Sequence, residues 1–364
     1  MSELEEDSEK ALGVHRDRID EIDERILSLM NERITAAASI ARIKLALDEP
    51  AFYRPEREAQ VLRRLKSLNK GPLTDEGVDA LFREIMSITR GSEAGLSVAV
   101  LGPEGTYTEL AARQHFGSTM QVVLLDSIDE IFRSTQNGKT DFSVVPVENS
   151  TEGGVNAPLD QLIKTDLSVC GEINLKISHN LLSQASDIPS VKTIYAHGRS
   201  LAQCRGWLNS HAGEAKLVPV SSNAQAAKRA MGEPTAAAIA GAGAAKIYDL
   251  QTLAASIEDE ANNTTRFLIL SNRRTPASGD DKTSLLLSCR NRPGALFSLL
   301  KPLFDRNIDM TKIESRPSRT GLWEYVFFVD VAGHVDDPEI ALGLDELKAE
   351  AGLFKCLGAY PVAR

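Results

Sequence analysis

Cysteine is scarce in this chain. Four residues of 364, Cys170, Cys204, Cys289 and Cys356, lie without paired spacing, which favours buried free thiols over a disulfide framework or a zinc site. The six histidines are equally dispersed, so no metal is expected. Long apolar runs are missing: none approaches the roughly 18 residues a membrane span requires, and no bilayer is implied. A cationic excess is missing too. Lys and Arg number 41 against 51 Asp and Glu, a net charge of -10, and the two signs are interspersed. That leaves no electrostatic footprint for nucleic acid, and any anionic ligand must be held by a few placed cations. Met1 to Lys10 lacks the basic and apolar regions of a signal peptide, so a frayed tail on a cytoplasmic protein is expected.

The chain has the balance of a soluble globular protein, 42% hydrophobic and 25% charged, and a length that suggests two or three domains. One stretch organises the reading. In Asn262-Asn263-Thr264-Thr265-Arg266-Phe267-Leu268-Ile269-Leu270, two amides, two hydroxyls and a guanidinium run straight into residues of strand propensity. Such a stretch presents side chains at the mouth of a strand, where clefts keep their chemistry. Alone, it also fits a capping loop with a surface Arg.

From about Val14 to Leu47 the chain has no Pro and its apolar residues, Ile19, Ile22, Ile26, Leu29, Met30 and Ile40, fall at helical spacing, which predicts one long helix. At about 100° per residue, Arg33 sits at the centre of that stripe and Lys44 roughly 20° from it. Arg16 lies roughly 100° round and would more easily reach a partner's pocket. The helix would be roughly 50 Å long, more than so short a region can cover, which favours a dimer of interlocked helices. A second helix after Pro55 turns Glu58 inward with Val61, Leu62 and Leu65, Arg54 near them and Arg57 at the edge. A third, from about Thr74 to Glu93, carries Thr89 among inward apolar residues. Cations on an amphipathic helix commonly snorkel to solvent. Several of them converging with one carboxylate predict a dianionic ligand, because an unpaired buried cation is costly.

Arg16, Arg33, Lys44, Arg57-Glu58, Thr89 and Glu93 resemble, in order and near-matching spacing, the all-helical chorismate mutases. The resemblance implies an active site shared across an intertwined dimer and a rearrangement of chorismate to prephenate without cofactor or covalent intermediate. Arg16, from the partner, and Arg33 would bind carboxylates, Lys44 the developing charge on the ether oxygen, and Glu58 the ring hydroxyl. Arg54, Arg57 and Thr89 would assist in binding. Glu93 stands where that family carries Gln or Glu and is expected to act protonated.

Beyond Gly91 to Gly95, strand-loop-helix units recur: Ser97–Leu101 into Gly102-Pro103-Glu104-Gly105-Thr106, Phe142–Val147 into Glu148-Asn149-Ser150-Thr151-Glu152-Gly153-Gly154, Thr193–His197, and Ala236–Ala240 into Gly241-Ala242-Gly243. The alternation predicts an α/β fold. The first loop lacks the Gly-Lys-Ser ending of a nucleotide site. With Thr265-Arg266-Phe267, these pieces resemble the prephenate dehydratases. The resemblance implies two α/β subdomains arranged like a periplasmic solute-binding protein, with the cleft between them. Thr265 and Arg266 would protonate the leaving hydroxyl and hold the carboxylate tail, helped by Thr106, Asn149, Ser150 and Thr151.

Arg273 to Asp281 reads as a linker. The remainder follows the split βαβ pattern of an α+β ferredoxin-like fold, and Arg292-Pro293-Gly294-Ala295-Leu296 with Ile313-Glu314-Ser315-Arg316-Pro317 resembles the amino-acid-binding ACT module. L-phenylalanine would bind at Gly294, Ala295, Leu296, Glu314, Ser315 and Arg316. The expected architecture is multidomain: an all-α mutase domain over 1–94, an α/β dehydratase domain over 96–272 and an ACT domain over 283–364. Chorismate and prephenate are the expected substrates, with no cofactor, in a homodimer or dimer of dimers. The alternative is a non-catalytic cytoplasmic amino-acid sensor.

Overall fold

The computed structural model describes residues 3–46, 53–91, 95–289, 292–317 and 325–363, apart from the side chains of 3–7 and 45. Three helices come first: α1 (Glu3–Ala46), α2 (Pro55–Leu68) and α3 (Asp75–Gly91). The acidic start expected to fray is helical from Glu3, since Glu, Lys, Ala and Leu there are all strong helix formers. α2 opens on Pro55, whose missing N–H is no loss in a first turn, and Glu56 and Glu58 sit at that helix's positive end. α1 packs against α3 but leaves Ile19, Ile22, Ile26, Leu29, Ile40 and Ile43 exposed.

The middle of the chain forms two α/β lobes. The first is built from β1 (Ser97–Leu101), α4 (Tyr107–Phe116), β2 (Gln121–Leu125), α5 (Ile128–Gln136), β3 (Phe142–Asn149), β4 (Gly153–Gly154), α6 (Asn156–Lys164) and β5 (Ser168–Lys176). The second holds β6 (Asn180–Ser183), β7 (Thr193–His197), α7 (Gly198–Gln203), α8 (Arg205–His211), β8 (Lys216–Val220), α9 (Asn223–Ala230), β9 (Ala236–Ala240), α10 (Ala242–Ile247) and β10 (Gln251–Ala254). Then β11 (Thr264–Ser271) returns to the first sheet, whose order is β2-β1-β3-β11-β5, while the second runs β10-β6-β9-β7-β8. β11 lies antiparallel to both β3 and β5, with Thr265 directly opposite Asn149.

The last unit is β12 (Asp281–Ser288), α11 (Ala295–Asp305), β13 (Met310–Pro317), β14 (Tyr325–Ala332), α12 (Pro338–Glu350) and β15 (Leu353–Pro361), an antiparallel sheet in the order β13-β14-β12-β15. Both of its faces are covered, which explains the unbroken apolar run of β12. Leu285 and Leu287 pack under α11 and α12 with Leu299, Leu303 and Leu344. Leu286 points the other way, into a core shared with Val145, Val147 and Leu268 of the first lobe. The segment read as a linker is packed rather than loose: Thr275 and Ser278 are buried, and the Arg63 guanidinium of α2 donates to the Ser278 carbonyl.

Candidate active sites

The register that sets Thr265 against Asn149 also puts their side chains on one face of the first sheet. The Asn149 amide is fixed by its own loop, because its Oδ1 accepts the backbone N–H groups of Thr151 at 3.1 Å and Glu152 at 3.2 Å. Its Nδ2 is thereby turned to donate to Thr265 Oγ1 at 2.9 Å and to Asn263 Oδ1 at 2.7 Å. Thr265 is buried, and among the described residues no acceptor takes its hydroxyl proton. Ser150 fastens the loop to β11: its Oγ accepts from Thr264 N at 2.9 Å and its N donates to Thr264 O at 2.8 Å. Thr151 is exposed and contributes only its backbone. Thr106 is spent on structure, capping α4 through Glu109 N and donating to Leu101 O at 2.8 Å. The second lobe closes on this face through α7, where Gln203 donates to Glu152 Oε1 at 3.2 Å and Arg199 pairs with Glu152 at 2.8 Å.

Arg266, expected beside Thr265, is on the other face of β11, as neighbours in a strand must be. There its guanidinium meets Glu172 at 2.7 Å, Asp330 at 2.7 Å and the Tyr360 hydroxyl at 2.9 Å, with Glu148 at 3.9 Å. Burial opposes its charge, but Tyr360, Asp330 and Glu172 outweigh burial and raise its pKa. It therefore joins the dehydratase lobe to the third sheet rather than facing the cleft.

Among the helices, Arg33 turns inward and donates to Thr89 Oγ1 at 2.7 Å, while Arg16 stays exposed on α1. Lys44 and Arg54 line a cavity of about 760 Å³ between the helices and the first lobe, together with Arg273 and Arg274. Arg54 pairs with buried Glu56 at 2.7 Å, and Arg57 is exposed. Glu58 is engaged by Arg90, a residue the sequence reading missed. Burial raises the Glu58 pKa, against the lowering effects of Arg90 and Arg83. Arg90 also donates to Phe116 O at 2.7 Å and lies 5.2 Å above the Tyr53 ring, which itself packs on Phe116 and Phe142 of the first lobe. Arg90 stands in the last turn of α3, where any cation suits the helix dipole, so its position in the sequence does not mark it. Glu93 lies outside the described residues.

In the third unit, Gly294 opens α11 with a φ of 76°, a conformation that suits glycine. Ala295 is buried and Leu296 exposed. β13 alternates: Ser315 faces outward, whereas Arg316 pairs with Asp160 of α6 at 3.0 Å and Lys312 with Glu148 at 2.7 Å. Glu314 lies against Gly154, so close that a side chain there would meet its carboxylate. The missed cleft residues, Asn263 and Gln203, come from two separate segments. Asn263 alone stood within the stretch singled out above.

Residues 15–94 match the family model for chorismate mutase type II, 98–275 that for prephenate dehydratase, and 283–342 that for the ACT domain. The bifunctional chorismate mutase/prephenate dehydratase of Pseudomonas aeruginosa is 50% identical over 364 residues, 99% of each chain. That of Neisseria gonorrhoeae is 48% identical over 352 residues, 96% of each chain. A solved structure, prephenate dehydratase of Arthrobacter aurescens in complex with L-Phe, superimposes with a TM-score of 0.68 at 32% identity, covering 74% of this chain and 90% of that one. A non-catalytic sensor is not favoured by these likenesses. With its three matched regions in the same order along the whole length, the chain belongs to the family of bifunctional chorismate mutase/prephenate dehydratases that carry a C-terminal ACT domain.

Proposed function

We propose that the helical domain converts chorismate to prephenate, that the cleft between the α/β lobes converts prephenate to phenylpyruvate, and that L-phenylalanine acting on the ACT domain restrains the second step. The observation that carries the dehydratase reading is the buried Thr265 hydroxyl, whose oxygen accepts from Asn149 while its proton remains available. In the reaction the ring carbon–carboxylate bond breaks and carbon dioxide leaves. The electron pair enters the ring, and the ring hydroxyl departs with a proton as water. A hydroxyl held as acceptor by one neighbour is oriented to donate to the departing group, although a Thr is a weak acid and serves by hydrogen bonding and placement. In the mutase step Arg33 and Lys44 supply charge to the substrate carboxylate and ether oxygen, Glu58 accepts from its hydroxyl, and Arg16 comes from the partner of a homodimer. Glu93, held neutral, would donate to the ether oxygen.

The phenylalanine reading is supported by the two ACT motifs and by the L-Phe complex of the Arthrobacter relative. The decisive experiment supplies purified protein with chorismate, then with prephenate. Arg33→Ala should abolish prephenate formation while leaving added prephenate convertible; Thr265→Ala should accumulate prephenate from chorismate, its dehydratase kcat down about a hundredfold or more. Either substitution removing both activities from folded protein would refute separate sites.

A further inference from the structure

His179 is a buried titratable group in the dehydratase lobes to which the reading above gives no part; it is 2% exposed. It lies where the chain crosses from β5 to β6, and its ring is the far end of a hydrogen-bond chain that begins at Thr265. The direction of that chain can be derived, because one end is backbone and cannot flip. The Thr151 and Glu152 N–H groups fix Asn149 Oδ1 as acceptor. Asn149 Nδ2 then donates to Asn263 Oδ1, which turns Asn263 Nδ2 toward Gln203 Oε1 at 3.3 Å. Gln203 Nε2 donates to Glu152, so Gln203 Oε1 must also accept from His179 Nε2 at 2.8 Å. The proton of His179 is therefore on Nε2, and its Nδ1 lies 2.9 Å from the Tyr107 hydroxyl, whose single proton can go to that nitrogen or to the Ser178 carbonyl at 2.7 Å.

We propose that His179 is a positioning residue of the dehydratase step: as the Nε2–H tautomer, it holds Gln203 and, through Asn263 and Asn149, keeps the Thr265 hydroxyl pointed at the substrate. The surroundings agree. Burial lowers the His179 pKa, against the Gln203 bond and the Glu258 carboxylate, whose Oε2 accepts from His179 N at 2.8 Å. Tyr107 comes from α4 of the first lobe and Gln203 from α7 of the second, so the imidazole links the two walls of the cleft. Without the Nε2 donor, Gln203 loses its shortest bond and keeps only the longer ones to Asn263 at 3.3 Å and Glu152 at 3.2 Å, which hold it less firmly. The disorder would pass to Asn263 and Asn149, which lowers the fraction of Thr265 in the reactive orientation rather than the affinity for prephenate.

The inference rests on Thr265 acting in the cleft, and the experiment separates the two. Full-length His179→Leu, His179→Gln and Thr265→Ala are assayed on prephenate, with chorismate mutase activity and thermal unfolding recorded on the same samples. His179→Leu should lower dehydratase kcat about tenfold or more with KM shifted less than about threefold, and leave the mutase untouched. His179→Gln, which can offer an amide N–H to Gln203, should recover part of the loss. Wild-type kcat in His179→Leu beside an inactive Thr265→Ala would overturn the His179 role alone. Equal losses in the Leu and Gln variants, matched by equal loss of thermal stability, would reduce His179 to a structural residue. A fully active Thr265→Ala would remove both readings.

Discussion

At the scale of single residues, Thr265 and Arg266 are adjacent on one strand and face opposite tasks. Arg266 neutralises Glu172 and Asp330, both nearly buried, with Lys282 sharing Glu172 at 2.8 Å. Replacing it by Met should cost about 3–5 kcal/mol, as breaking a buried pair does, measured by urea unfolding. It should also weaken phenylalanine inhibition more than it weakens uninhibited dehydratase activity. Inhibition curves that superimpose would deny Arg266 any part in coupling. The placement of Arg266 was legible in principle. Period two along Thr265, Phe267 and Ile269 already assigns Arg266 to the opposite face. What could not be read was its company, since Asp330 and Tyr360 belong to another domain. For the same reason Asn149 was found and Gln203 was not: one ends a strand in a polar loop, the other is an unremarkable position on a short helix.

At the scale of elements, α1 was the most readable, because its spacing alone places Arg33 inward and Arg16 outward. Its exposed stripe makes an argument that the single chain does not satisfy. Ile22 is 39% and Ile26 48% exposed, one turn apart on a face that a second copy of the helix would cover. Replacing both by Glu should halve the mass seen by light scattering and abolish mutase activity, with conversion of added prephenate retained. A monomer with normal mutase activity would show that Arg16 of a partner is not needed. Linker chemistry misled at this scale. Pro276 and Ser278-Gly279 suggest freedom, yet Asp281 accepts from Ser278 N at 2.8 Å and Gly279 N at 2.9 Å and fixes the turn.

At the scale of the whole molecule, the junction between the helices and the first lobe centres on Tyr53, whose hydroxyl pairs with Nε2 of half-buried His115. Burial, reinforced by Arg83 and Arg90, drives the His115 pKa well below its ordinary value of 6.5. A lowered histidine gives stability above its unfolded pKa that is lost as pH falls toward the folded value. Over that window each pH unit removes up to about 1.4 kcal/mol. Thermal unfolding at about pH 7.5 and about pH 5.5 should show a larger acid loss in the wild type than in His115→Gln, which carries no such proton. Equal losses would place the acid sensitivity elsewhere. The Tyr53 ring has one more consequence. It stands among Phe116, Phe142 and Val144 as a member of the dehydratase core, although it precedes the second helix of the mutase. Recombination that exchanged the helical region for an unrelated one would thus carry away a piece of its neighbour's interior, leaving a gap of the kind that costs about 3–5 kcal/mol when a large ring is deleted. The joint between the two enzymes is in this respect inherited as a unit, and the boundary drawn along the sequence is not the seam along which the protein would come apart.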